Sequence, residues 1–216
     1  MTNALNGLWG TLSACGGLSA WPCRRCPGPL FLLLTLPRLA AATGYTYWIE
    51  PCPPAAVKSQ LCQTNDPELA KWALEAWQRE AAGSLTLTPA PSEEHAQIRM
   101  RWADASTGLY GEAVPIAVDG HRGANVYIFA GPSRAADSDP LLRDTIVYLT
   151  CVHESGHALG LQHTAKFADI MYTFQYGGDL AAYFGRYRRL LKSRTDIPQH
   201  SGISGADRVA LRSLYK

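Results

Sequence analysis

The sequence predicts α/β layering within one domain, closed by a small C-terminal part. Two patterns lead there. Short β-branched and aromatic runs gather in the first half of the chain, and helical spacing of apolar residues dominates the second half. The chain is also long enough to enclose a core, with 216 residues of which 47% are hydrophobic and 18% charged. This mixed composition excludes collagen-like, coiled-coil and wholly disordered chains.

The elements follow in order. Gly44–Ile49 is aromatic and β-branched and reads as a first strand, followed by a Pro-rich turn at 51–54. Asp66-Pro67 opens a helix, with Asp66 as cap and Pro67 at the first helical position; Leu69, Trp72, Ala73, Ala76 and Trp77 then recur at helical spacing. Leu85–Thr88 is a short strand. Gln97–Trp102 alternates, setting Ile98, Met100 and Trp102 on one face and Gln97, Arg99 and Arg101 on the other. Leu109–Val114 and Ala124–Ala130 are further strands, the latter apolar enough to be interior. Asp139-Pro140 caps a second helix, carried by Leu141, Leu142, Ile146, Val147, Leu149 and Val152. A third helical pattern, Asp179–Lys192, places Tyr183, Phe184, Tyr187, Leu190 and Leu191 on one side. Arg186, Arg188, Arg189, Lys192 and Arg194 make this stretch basic, which reads as the solvated face of a surface helix, the alternative being a surface for an acidic partner or a membrane. A last helix starts at Ser204 and carries Val209, Leu211 and Leu214.

Charge is unevenly placed. Residues 1–42 hold three of the 20 Lys and Arg (Arg24, Arg25, Arg38) and none of the 18 Asp and Glu, leaving 17 basic against 18 acidic residues beyond them. A nearly neutral domain is a poor nucleic-acid binder, and none is expected as a partner. Residues 1–42 read as a leader. Arg24 and Arg25 precede the apolar run Leu30–Leu36, and Ala40-Ala41-Ala42 offers a small-residue cleavage site. The apolar run is too short to span a bilayer as a helix. The expectation is cleavage near Ala42 and a mature domain over 43–216, the alternative being an N-terminal arm that is retained. Cys52 and Cys62 bracket a short loop and either form a bridge in an oxidising compartment or stay unpaired; the bridge is the expectation. Three of the six Cys (Cys15, Cys23 and Cys26) lie in the leader; in the remaining domain Cys151 is left over and reads as a buried core thiol.

The chemistry is concentrated in the second helix, in His153-Glu154-Ser155-Gly156-His157-Ala158-Leu159-Gly160-Leu161-Gln162-His163. His153 and His157, four apart, present imidazoles from one face about one turn apart, a reach suited to two corners of a tetrahedral zinc site. Gly160 can take a backbone conformation that bulkier residues avoid, so the chain can leave the helix and return His163 as a third ligand. Three neutral imidazoles leave one position for water, which makes the site catalytic in type. Glu154 adjoins the first ligand and is placed to accept a proton from that water.

This segment resembles the metzincin metallopeptidases, whose signature is His-Glu-x-x-His-x-x-Gly-x-x-His followed by a Met-containing turn. Asp169-Ile170-Met171-Tyr172 matches that turn, with Met171 eight residues beyond His163. Within the metzincins the chain is most similar to the matrixins: Thr164 follows the third His where matrixins usually carry Ser, and astacins would carry Glu. The resemblance spans Gly44 to Tyr215. It implies a zincin fold, a twisted and mostly parallel sheet packed on helices, with a small C-terminal subdomain after His163. It implies one catalytic zinc, and a peptide lying extended beside an edge strand within Gly108–Val114. It implies Met171 as the apolar floor of the zinc site and Asp207 as the anchor of the Met-turn backbone, although Ala206 replaces the acid that usually precedes Asp207.

The departures bear on regulation and specificity. No Pro-Arg-Cys-Gly switch is present, Arg25-Cys26-Pro27 being a faint echo on the wrong side of the apolar run. His95, His121 and His200 are scattered and lack the His-x-Asp pattern of a structural zinc, so a second zinc is not expected; calcium is allowed but unassigned. Thr173 stands where the specificity wall usually begins with Pro, and an extra helical segment, 179–193, follows. The expectation is a secreted or periplasmic zinc endopeptidase, monomeric, acting on protein or peptide, with no membrane span in the mature chain. The rival readings are an inactive zinc-binding recognition module and a membrane-anchored factor.

Overall fold

In the computed structural model, residues 42–104, 110–130 and 138–216 are described. Residues 1–41 of the leader, Gly108 and Leu109 lie outside them. Five strands form one sheet in the order β2-β1-β3-β5-β4: β1 (Thr43–Ile49), β2 (Leu85–Pro89), β3 (Ile98–Trp102), β4 (Gly111–Val118) and β5 (His121–Ile128). Four run parallel, and only β4 is antiparallel, to β5. The sheet is thus mostly parallel and helix-covered, as expected of the fold.

The β4–β5 hairpin is wider than the sequence reading. β4 runs on to Val118, and β5 begins three residues before Ala124. Asp119 and Gly120 join them with φ of 51° and 78°. Two successive positive φ angles suit the twist of a two-residue hairpin turn, and Asp-Gly favours them. Pro115, which has no N–H to give, sits in β4, the edge strand. β5 is interior, and Ala124, Val126 and Ile128 are buried on its helix-facing side.

The helices are α1 (Pro54–Lys58), α2 (Asp66–Glu80), α3 (Pro140–Ala158), α4 (Leu180–Arg188) and α5 (Gly205–Leu214). The short α1 falls where the sequence suggested only a turn. α2 packs on α3 through Trp77, which is fully buried and donates its indole N–H to the Val152 carbonyl at 2.8 Å. Asp139 caps α3 as expected, accepting the Leu141 and Leu142 N–H groups at 3.1 Å. Asp66 is a correction: Asn65 is the N-cap residue of α2, and the Asp66 carboxylate turns inward to the buried guanidinium of Arg143 on α3. An inward carboxylate with a bidentate cationic partner is better satisfied than an exposed cap.

The basic segment is also corrected in part. α4 ends at Arg188, and Leu190 is exposed. Three of the five cations bond within the protein: Arg186 to the Phe167 carbonyl, Arg188 to Asp139, and Arg194 to Asp144. Of the apolar residues expected to seat α5, only Leu211 is buried; Val209 and Leu214 are exposed. Cys52 and Cys62 are bridged, their Cα atoms 6.1 Å apart, and Cys151 is free and buried.

Candidate active site

α3 carries the first two histidines and ends at Ala158, one residue beyond His157. Gly160 follows with φ +104°, a conformation that strains any residue with a side chain, and the chain turns back to deliver His163. The His163 Nε2 atom lies 3.3 Å from that of His153 and 3.0 Å from that of His157. Zinc–nitrogen bonds of about 2.0–2.1 Å in tetrahedral geometry place ligand nitrogens about 3.3 Å apart, so this donor set fits a zinc ion. Among the described residues these three form the one cluster of His, Cys, Asp and Glu able to hold a metal.

The rings are oriented from behind. His153 Nδ1 donates to the Ile170 carbonyl at 2.6 Å, and His157 Nδ1 donates to the Leu161 carbonyl at 2.9 Å. Each bond fixes a tautomer whose Nε2 lone pair faces the cluster. Burial, opposed by its bond to the Ile170 carbonyl, lowers the His153 pKa to about 4, and burial likewise lowers those of His157 and His163. These shifts favour the neutral imidazole, the form that binds a metal.

Glu154 projects from α3 beneath the edge strand. The Gly111 backbone comes so close that an added Cβ would lie 2.6 Å from Glu154 Cγ. Burial pushes the Glu154 carboxyl up to about 8, and the negative charge of Glu112 adds to the rise. A dication held by the histidines acts in the opposite sense.

The Met turn forms the floor. Met171 is fully buried, and a Cβ on Gly156 would come within 2.5 Å of its sulfur. Asp207, also buried, accepts the Ile170 N–H at 2.8 Å and the Ser204 N–H at 3.0 Å, while the Met171 N–H lies 3.4 Å from its other oxygen. Ser204 and Asp207 cap each other reciprocally at the start of α5, so one carboxylate ties that helix to the turn.

A cleft of about 810 Å³ runs along β4 over the histidines. Its two ends differ. Near the end of α3 it is lined by Pro115, Gln162 and Arg122, whose guanidinium lies 3.4 Å from the His157 carbonyl. Near the start of β4 it is aromatic: Tyr110 meets Phe184 at 5.3 Å between ring centroids, and Phe174 meets Tyr183 at 5.1 Å.

The structure brings His153, Glu154, His157 and His163 to the cleft and places Gly160, Met171 and Asp207 in support. It leaves His95, His121 and His200 out of any metal-binding cluster among the described residues. The sequence reading missed Gly111, Gly156, Arg122 and the aromatic end. Of these, only Gly156 carried a local signal, a glycine held inside a helix at a cost of about 1 kcal/mol relative to Ala.

Two neighbouring histidines on one helix, a third returned by a glycine, and a buried methionine floor define a metallopeptidase of the metzincin class. The chain belongs to the matrixin family, the zinc-dependent metallopeptidases whose family profile (peptidase family M10) matches residues 44–180. That match covers β1 through the Met turn and ends at the first residue of α4. A comparison with curated proteins gives no match.

Proposed function

We propose that this chain is an exported zinc endopeptidase in which His153, His157 and His163 hold the metal and Glu154 moves the proton. The observation that supports it best is the convergence of three Nε2 atoms beside a buried carboxylate in an open cleft. Zinc held by these three imidazoles would supply Lewis acidity toward the scissile carbonyl and would lower the pKa of a water molecule to about 7. Glu154 accepts the proton of the attacking water on its carboxylate and returns it to the departing amine nitrogen.

The remaining groups bind and orient. β4 has one edge unpaired within the sheet, and its main-chain N–H and C=O groups can align an extended peptide. The aromatic end favours an apolar side chain of that peptide. Arg122 gives the other end a positive charge. Export is supported by the acid-free leader and by the Cys52–Cys62 bridge, which persists in an oxidising compartment. In this reading residues 1–42 are removed and 43–216 form the enzyme, secreted or periplasmic. Among the described residues no helix is long and apolar enough to cross a membrane.

Two variants test the assignment. Glu154→Gln keeps all three imidazoles and should retain about one zinc per chain, while cleavage of an unfolded protein falls at least roughly a hundredfold. His157→Ala removes one of the three ligands, so zinc and activity should fall together. Near-wild-type cleavage by Glu154→Gln overturns the proton-transfer role. Zinc-loaded wild-type protein that cleaves nothing favours a recognition module instead.

A further inference from the structure

α4 lies almost wholly beyond the residues that match the family, yet one of its side chains reaches the metal centre through a single peptide unit. The Tyr183 hydroxyl is 3.2 Å from the carbonyl oxygens of both Asp169 and Ile170. The Ile170 carbonyl is the same group that accepts the His153 Nδ1–H at 2.6 Å. On the other side of that residue, the Ile170 N–H is held by Asp207 at 2.8 Å. Ile170 is therefore clamped at its nitrogen by α5 and at its oxygen by α4, and the clamped oxygen sets the His153 ring. A carbonyl has two lone pairs, so both donors are accommodated at once.

The donor itself is fixed. Tyr183 is buried, with the Arg186 guanidinium 4.2 Å from its ring centroid, and Arg186 also bonds the Phe167 carbonyl. The guanidinium thus holds the ring, and the one hydroxyl proton is shared between the Asp169 and Ile170 carbonyls, the two peptide oxygens at the start of the Met turn.

We propose that Tyr183 is a positioning residue for the metal site, acting through the Ile170 carbonyl on His153 and making α4 part of the zinc-binding structure of this chain. The inference rests on the zinc reading of the three histidines. Groups that orient a ligand typically change metal affinity by about 10–100-fold, and an influence passed through one carbonyl belongs at the lower end of that range.

The test uses the full chain with Tyr183→Phe, which removes one oxygen and keeps the ring, beside Tyr187→Phe as control. Tyr187 is on the same helix and equally buried, but its hydroxyl donates to the His200 carbonyl at 2.5 Å and lies 3.1 Å from that of Ile197, away from His153, His157 and His163. Zinc affinity is measured by competition with a chromogenic chelator, and the site geometry by the visible spectrum of the cobalt-substituted protein. Tyr183→Phe should weaken zinc binding about tenfold and shift the cobalt bands. Tyr187→Phe should lower the melting temperature and leave both readouts unchanged. Wild-type zinc affinity and cobalt spectrum in Tyr183→Phe overturn the proposal. So do equal changes in both variants, which would mark a general loosening. If the wild-type chain itself fails to bind one zinc, it is the reading of the histidines that fails.

Discussion

Gly156 and Met171 are in direct contact beneath the histidines: a Cβ on Gly156 would lie 2.5 Å from the Met171 sulfur and 3.0 Å from the Trp77 ring. The helix thus has no side chain at the position where floor and core meet it. Gly156→Ala gains helix propensity but overpacks this contact, and overpacking costs about 1–3 kcal/mol. A net loss of about 1 kcal/mol in urea unfolding is expected, with weaker zinc binding. Gly83→Ala serves as a contrast: a Cβ there meets nothing within 4 Å, but φ is +90°, so it destabilises through backbone strain and leaves zinc affinity unchanged.

Asp207 should tolerate little change. Asp207→Ala leaves the buried Ile170 N–H without its acceptor and removes the reciprocal cap of α5. The expected cost is about 2–4 kcal/mol, from an unsatisfied buried donor and a lost cap together. Asp207→Asn retains an acceptor oxygen and should cost less. Denaturant midpoints of the two variants, measured with zinc saturating, check the order.

The buried Asp66–Arg143 pair joins the starts of α2 and α3, and Arg143 also donates to the Ala130 carbonyl at 3.0 Å. Arg143→Met strands a buried carboxylate and should destabilise by about 3–5 kcal/mol. Adding Asp66→Leu removes the stranded charge, so the double variant should recover part of the loss. A double variant no more stable than Arg143→Met alone would contradict this account.

The Cys52–Cys62 bridge closes a sequence separation of 10 residues, and removing it should cost roughly 2–3 kcal/mol. Burial holds the Cys151 thiol well above its ordinary pKa, so it should resist alkylation until the domain unfolds. A non-reduced peptide map and timed alkylation followed by mass spectrometry read both.

Acid should loosen the junction of α2 with α5. Burial alone would raise the Glu80 pKa, but hydrogen bonds from Arg208 and Ser201 overcome it and hold the carboxyl below its usual value. A lowered folded-state pKa contributes stability above the unfolded pKa of about 4.5, lost as pH falls through the folded value. Glu80 is only partly buried, with its side chain 19% exposed, so solvent screening keeps the effect small. Glu80→Gln should flatten the stability profile slightly below about pH 5, as followed by thermal melts.

By itself the sequence determined which three histidines come together and most of the elements. The His153–His163 spacing, the Gly160 exit and the Met171 turn are local, and local spacing on a helix fixes which side chains share a face. The strands β1, β2 and β3, the Asp139 cap and the Ser204 start were legible for the same reason. Tertiary structure decided what depends on partners distant in the chain. Asp66 looked like a cap until Arg143 drew it inward, and the basic segment looked solvated until Asp139, Asp144 and the Phe167 carbonyl took three of its arginines. The aromatic end of the cleft joins Tyr110 to Phe184, and the Ile170 carbonyl joins His153 to Tyr183. No periodicity encodes such pairings, because they arise only when packing brings separate helices and strands within hydrogen-bond and van der Waals reach.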